Sequence, residues 1–172
     1  MTLARTIRRL GPLALAVLWM GCPRVLARSD DSFEPNDDLA HASPLTAGQT
    51  VKGRANQGNA DVFSLQGVPA GSRILFRLES LGLENCPAFT VTGPGDQVLY
   101  RDDTYRCSKG RNSKPQPAQS VEGAALTVVQ TGYELRVPAA TAGTHFLTID
   151  EQGEADNMFP LGWDYQLTAQ LE

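Results

Sequence analysis

Apolar residues in this chain recur at every second position over short runs, and Gly, Pro, Asn and Asp end each run. Arg73–Leu78 shows the pattern: Ile74, Phe76 and Leu78 share one face, and Arg73, Leu75 and Arg77 the other. Such alternation marks a strand with one buried face. In His145–Ile149 the residues His145, Leu147 and Ile149 fall together, and in Asp164–Leu171 so do Tyr165, Leu167 and Ala169. Val62–Leu65 sets Phe63 beside Leu65, and Thr50–Lys52 is a brief strand. Ala88–Thr92 and Gln97–Arg101 flank Gly93-Pro-Gly-Asp96, and Leu126–Gln130 and Tyr133–Val137 flank Thr131-Gly132; both read as hairpins. Beyond the first 27 residues no long segment carries the helical period. The pattern predicts an all-β fold, an antiparallel β-sandwich of eight or nine strands.

Two stretches break the alternation. Arg101–Ser120 holds Arg101, Arg106, Lys109, Arg111 and Lys114 with few apolar residues, and reads as a long basic loop. Gln152–Pro160 is a second loop, acidic at Glu154 and Asp156. Loops of such length in a small domain are commonly functional.

The N-terminus follows another logic. Arg5, Arg8 and Arg9 precede an apolar run from Leu10 to Met20, too short to span a bilayer comfortably. Residues 1–27 therefore read as a signal peptide and residues 28–172 as one exported domain, secreted or periplasmic. Two processing routes fit. Val25-Leu-Ala27 suits an ordinary signal peptidase, whereas Gly21-Cys22 would make a lipoprotein anchored through Cys22. Cleavage after Ala27 removes four arginines and no acid. It takes the balance from 15 basic against 19 acidic residues to 11 against 19, a net charge of −8. That balance argues against nucleic acid and anionic membranes as partners.

Export also bears on the cysteines. Cys22 is either removed or lipidated, which leaves Cys86 and Cys107 as a pair. In an oxidising compartment two cysteines read as one disulfide. A thiol metal site would need further ligands, and His41 and His145 are the chain's two histidines. With the first hairpin turning at Pro94-Gly95, Cys86 falls opposite Asp103, so the bridge would pin the base of the basic loop.

The densest chemistry lies in Asp31-Ser-Phe-Glu-Pro-Asn-Asp-Asp38. Glu34, Asn36 and Asp37 set three oxygen-bearing side chains around the rigid Pro35. Carboxylates with an amide oxygen suit a hard cation such as calcium. An acidic turn, with Asn36 or Asp37 capping a short helix near Leu39–His41, accounts for the same residues.

Phe33-Glu-Pro-Asn-Asp37 resembles the opening of the bacterial pre-peptidase C-terminal domain. Four later pieces follow in the family's order: Asp61-Val-Phe-Ser-Leu65, Thr92-Gly-Pro-Gly-Asp96, Ala142-Gly-Thr-His-Phe-Leu-Thr-Ile149 and Trp163-Asp-Tyr-Gln-Leu-Thr-Ala169. The resemblance covers residues 31–171. It implies a jelly-roll-like sandwich similar to the collagen-binding domains of clostridial collagenases, usually an appendage of secreted proteases. It also implies that Asp61 joins Glu34, Asn36 and Asp37 as a calcium ligand. Further acids that those modules carry are replaced here by Ser32 and Gly58.

No Gly-x-Ser-x-Gly elbow and no His-Glu-x-x-His occurs. His145 stands where the family has a tyrosine, and reads as a core residue. Tyr100, Tyr105 and Trp163 lie near loops or strand ends and form a candidate ligand surface for sugars or extended peptides; packing at the core or an edge is the alternative. The expected function is that of a non-catalytic module engaging an extracellular or envelope protein or polysaccharide, with calcium as its candidate ion. The alternatives are a small secreted hydrolase and a lipid-anchored structural envelope protein.

Overall fold

The structure is a computed structural model that describes residues 32–55, 59–80, 87–102, 117–151 and 163–172. The expected signal peptide, Cys22, Cys86, Tyr105, Cys107, the heart of the basic loop, the Gln152–Pro160 loop and the Trp163 side chain lie outside the described residues.

Eleven strands form: β1 (Ser43–Leu45), β2 (Thr50–Ala55), β3 (Asp61–Val68), β4 (Ser72–Ser80), β5 (Pro87–Gly93), β6 (Gln97–Asp102), β7 (Pro117–Ser120), β8 (Ala125–Val129), β9 (Gly132–Ala139), β10 (Gly143–Glu151) and β11 (Trp163–Leu171). They make a six-stranded sheet, β1-β3-β10-β5-β6-β7, and a five-stranded sheet, β2-β11-β4-β9-β8. Every pairing is antiparallel except β1 with β3. The sandwich expected from the alternation is therefore present, with two strands more than the alternation predicts. β1 and β7 are the additions, and each is short and contains a proline.

Alternation delivers the core. Phe63, Leu65, Phe89, Val91, Leu147 and Ile149 from the first sheet meet Ile74, Phe76, Leu78, Leu135, Val137, Tyr165 and Leu167 from the second. Burying a side chain of this kind contributes roughly 1.5–3 kcal/mol. Leu75, expected on the solvent face, is buried as well. It lies between Gln170 and Arg136 in register, and such long side chains cover apolar surface with their stems. Charged pairs cover much of the rest of that outer face. Arg54 faces Asp164 at 3.0 Å, Arg77 faces Glu134 at 3.1 Å, and Arg136 reaches Glu134 at 2.9 Å.

The first hairpin turns through Pro94–Asp96, with Gly95 at φ 72° and Asp96 at φ 59°. A left-handed pair of this kind suits Gly and tolerates Asp. A bulge follows, because Thr92 faces Val98 while Val91 faces Tyr100. The turn sets Gly93 opposite Gln97, one position beyond the register that sets Cys86 opposite Asp103, and the bulge adds a second, so Thr90 lies opposite Arg101.

A candidate cation site at the sandwich edge

The segment 32–42 runs along the edge of the sandwich beside β3, fastened at three points. Phe33 stacks edge-on against Phe63 at 5.5 Å, and Phe63 stacks edge-on against Tyr165 at 6.5 Å. The Ser43 hydroxyl donates to the Phe33 carbonyl at 3.2 Å. The Val62 amide donates to the Asn36 carbonyl at 2.8 Å. The Glu34–Pro35 peptide bond is cis.

Two of the four predicted ligands are carried inward. Asn36 and Asp61 are each 0% exposed. Asp61 opens β3, opposite Ile149 of β10, and accepts a hydrogen bond from the Tyr165 hydroxyl. That bond crosses from one sheet to the other. It needs a glycine: Tyr165 faces Gly53 of β2, and a Cβ on Gly53 would stand 2.3 Å from the tyrosine oxygen. Neither atom of the Asn36 side-chain amide has a hydrogen-bond partner among the described residues. A buried polar group left so costs about 1–3 kcal/mol. Its carbonyl oxygen is the kind of donor a hard cation takes.

The other two predicted ligands are placed differently. Glu34 is half-buried and accepts a hydrogen bond from the Asn59 side chain at 2.5 Å. Asp37 is exposed. Among the described residues no three His, Cys, Asp or Glu side chains group as metal ligands. A cation here would rest on Asn36 Oδ1, the Asp61 carboxylate and backbone oxygens, while Glu34 Oε1 is engaged by Asn59.

The turn role falls on Asp38. Its Oδ1 accepts from the His41 amide at 2.9 Å and from His41 Nδ1 at 2.8 Å. The bond from the His41 side chain holds the Asp38 carboxyl below its usual range. Residues 32–42 make turns and bends, so the helix near Leu39–His41 is absent and neither Asn36 nor Asp37 caps one. Asn59, Gly53 and Tyr165 were not legible as site residues, although the β11 alternation does place Tyr165 inward.

A second buried carboxylate lies on β6. Asp102 accepts from the Phe89 amide at 3.1 Å and from the Tyr100 hydroxyl. Burial outweighs both donors and pushes its pKa up to about 6. Tyr100 is 1% exposed, which removes it from the candidate ligand surface. Burial, reinforced by Asp102, pushes its phenol well above the usual range. His145 is buried on β10, with Nδ1 3.4 Å from the Gly143 carbonyl, and burial lowers its pKa.

Comparison with known proteins finds no matching family model and no matching curated protein. Solved structures of similar fold are found. One is the pre-peptidase C-terminal domain of a collagenase from Bacillus anthracis, at 10% identity and TM-score 0.45, covering 75% of this chain and 94% of that one. It is of the family that residues 31–171 resemble in sequence. Another is PliG of Aeromonas hydrophila, a periplasmic inhibitor of g-type lysozyme, at 13% identity and TM-score 0.40, covering 76% and 99%. A third is CorA, a surface-associated copper-binding protein of Methylomicrobium album, at 6% identity and TM-score 0.41, covering 76% and 98%.

Proposed function

We propose that this chain is an exported, non-catalytic binding module, stabilised by one calcium ion at Asn36 and Asp61, that engages a protein or polysaccharide outside the cytoplasm. The observation that carries the ion is the Asn36 amide, wholly buried and without a hydrogen-bond partner among the described residues, beside the strand that Asp61 opens. Calcium accepts amide, carboxylate and backbone oxygens together and tolerates an irregular shell, whereas magnesium demands near-octahedral geometry. The described histidines support a non-catalytic reading. His41 is engaged with Asp38 at the surface, and buried His145 lies against its own backbone. Of the candidate ligand surface, Tyr105 and Trp163 stay as proposals for the contact with the partner.

The test has two arms. Thermal melting in millimolar calcium, magnesium or chelator should show a rise with calcium alone. Mass action gives about 2.7 kcal/mol at a hundred times the dissociation constant. Asn36→Leu and Asp61→Asn should each remove the response, and Asn36→Leu should leave stability in chelator close to wild type. Identical wild-type curves in calcium and chelator would discard the ion. The second arm screens the processed protein for peptidase and glycosidase turnover and for retention on insoluble envelope polysaccharide and fibrous protein. Turnover that survives purification would replace the binding reading with the hydrolase.

A further inference from the structure

The described sheets end in four edge strands, and three of them are blunted. β1 is three residues long and holds Pro44, β7 is four residues long and begins with Pro117, and β2 carries Lys52 and Arg54. Prolines, charges and shortness are the usual devices that stop a sheet edge from pairing with another chain. β8 has none of them. It reads Ala-Leu-Thr-Val-Val, and its burial runs from half-buried to exposed, with Val128 50% and Val129 37% exposed.

The register shows which backbone groups β8 offers. Val129 faces Gly132 across the two-residue turn Gln130-Thr131. Residues flanking such a turn form a hydrogen-bonded pair, and hydrogen-bonded and non-bonded pairs then alternate along the ladder. Ala125, Thr127 and Val129 therefore bond to β9, and Leu126 and Val128 direct their N–H and C=O groups away from the sheet. We propose that β8 pairs antiparallel with β8 of a second copy of this chain, centred on Thr127, joining two five-stranded sheets into one.

The self-pairing is chemically consistent at each position. Leu126 meets Val128 of the other copy in a hydrogen-bonded pair, and Val128 meets Leu126. Thr127 meets Thr127 in the closer, non-bonded pair, where threonines pair favourably. Ala125 meets Val129. No charged residue lies within β8, so no like charges oppose each other. Such an arrangement is isologous and closes at two copies. The strand is short, so the association is weak and appears at high concentration.

The experiment measures self-association by sedimentation equilibrium, from roughly 10 µM to roughly 1 mM, at an ionic strength near physiological. Wild type should show a monomer–dimer equilibrium. Thr127→Lys puts like charges across the two-fold axis while leaving each monomer a favourable neighbour in Glu134, which faces Thr127 within the chain. It should weaken association about tenfold or more. The double variant Ala125→Glu with Val129→Lys also places charge on the strand, one of each sign, but opposes unlike charges in the proposed register. It should associate within about threefold of wild type. A wild type that stays monomeric, including one that instead takes up an added extended peptide, overturns the proposal. So does a Thr127→Lys variant that associates as wild type does. Loss of association in the double variant as well would mean apolar adhesion without register, and would also overturn it.

Discussion

Asp102 should make this domain less stable as the pH rises from 4 to 7. Asp102 is 6% exposed, and its carboxyl accepts from two donors, the Phe89 amide and the Tyr100 hydroxyl. Its pKa rises from 3.8 to about 6 because burial penalises the charged form more than the donors favour it. The sign follows from linkage. A group whose folded pKa is raised binds its proton more tightly in the native state. The advantage is complete below the unfolded pKa and is lost as the pH climbs through the folded one. At about 1.4 kcal/mol per unit, the loss between pH 4 and pH 7 approaches roughly 3 kcal/mol, an upper figure since water and small relaxations soften buried charges. Tyr100 and Tyr133, the neighbouring phenols, are both raised and stay neutral throughout. Asp38 runs the other way: its lowered pKa gives stability that disappears on acidification. The quantity to compare is therefore the difference between wild type and Asp102→Asn, each unfolded in urea at pH 4, 5, 6 and 7. The amide keeps an acceptor for the Phe89 N–H and removes the titration. The two stability curves should converge or cross toward pH 4 and separate in favour of the variant by pH 7. Tyr100→Phe removes a donor that lowers the pKa, so it should move the titration to higher pH. Parallel curves for wild type and Asp102→Asn would refute the argument.

Gly53→Ala should cost about 1–3 kcal/mol by forcing Tyr165 off Asp61, read by urea denaturation. Tyr165→Phe should lower stability by a similar amount while keeping the ring, because a buried carboxylate loses a donor. Cys86 and Cys107 should resist alkylation in exported protein until reductant is added, and quantitative labelling without it would rule out the bridge. Intact mass should place the mature N-terminus at Arg28 without lipid, and a diacylated Cys22 would make the protein a lipoprotein instead.

The strands with regular alternation were the legible part. β4, β10 and β11 each bury the face that their sequence marks. β1 was not legible, because Ser-Pro-Leu has no pattern of its own. It pairs with β3 where the segment fastened by Phe33 and Asn36 delivers it. β7 shares that difficulty, lying after a long polar stretch. Tyr100 misled for a physical reason: next to Arg101 and the basic loop it looks like a rim aromatic, but the hydroxyl is satisfied by Asp102 two residues on, which lets the ring go inside. At the candidate site residue type pointed to Asn36, and the family resemblance to Asp61; both are buried. Their surroundings depend on Tyr165, which is 104 residues from Asp61 and cannot be seen by local spacing.

The place of β11 in the second sheet sets an order of events for folding. β11 lies between β2 and β4, and Thr50 of β2 pairs with Thr168. Among the described residues β2 has no other strand neighbour in its sheet. An N-terminal strand must therefore wait, unpaired, until the chain has been made out to Leu171. Contacts so distant in sequence fold slowly, on the scale of milliseconds to seconds. The β4–β9 and β3–β10 pairings need less of the chain, so the β2 edge of the second sheet is the part of this topology that closes last.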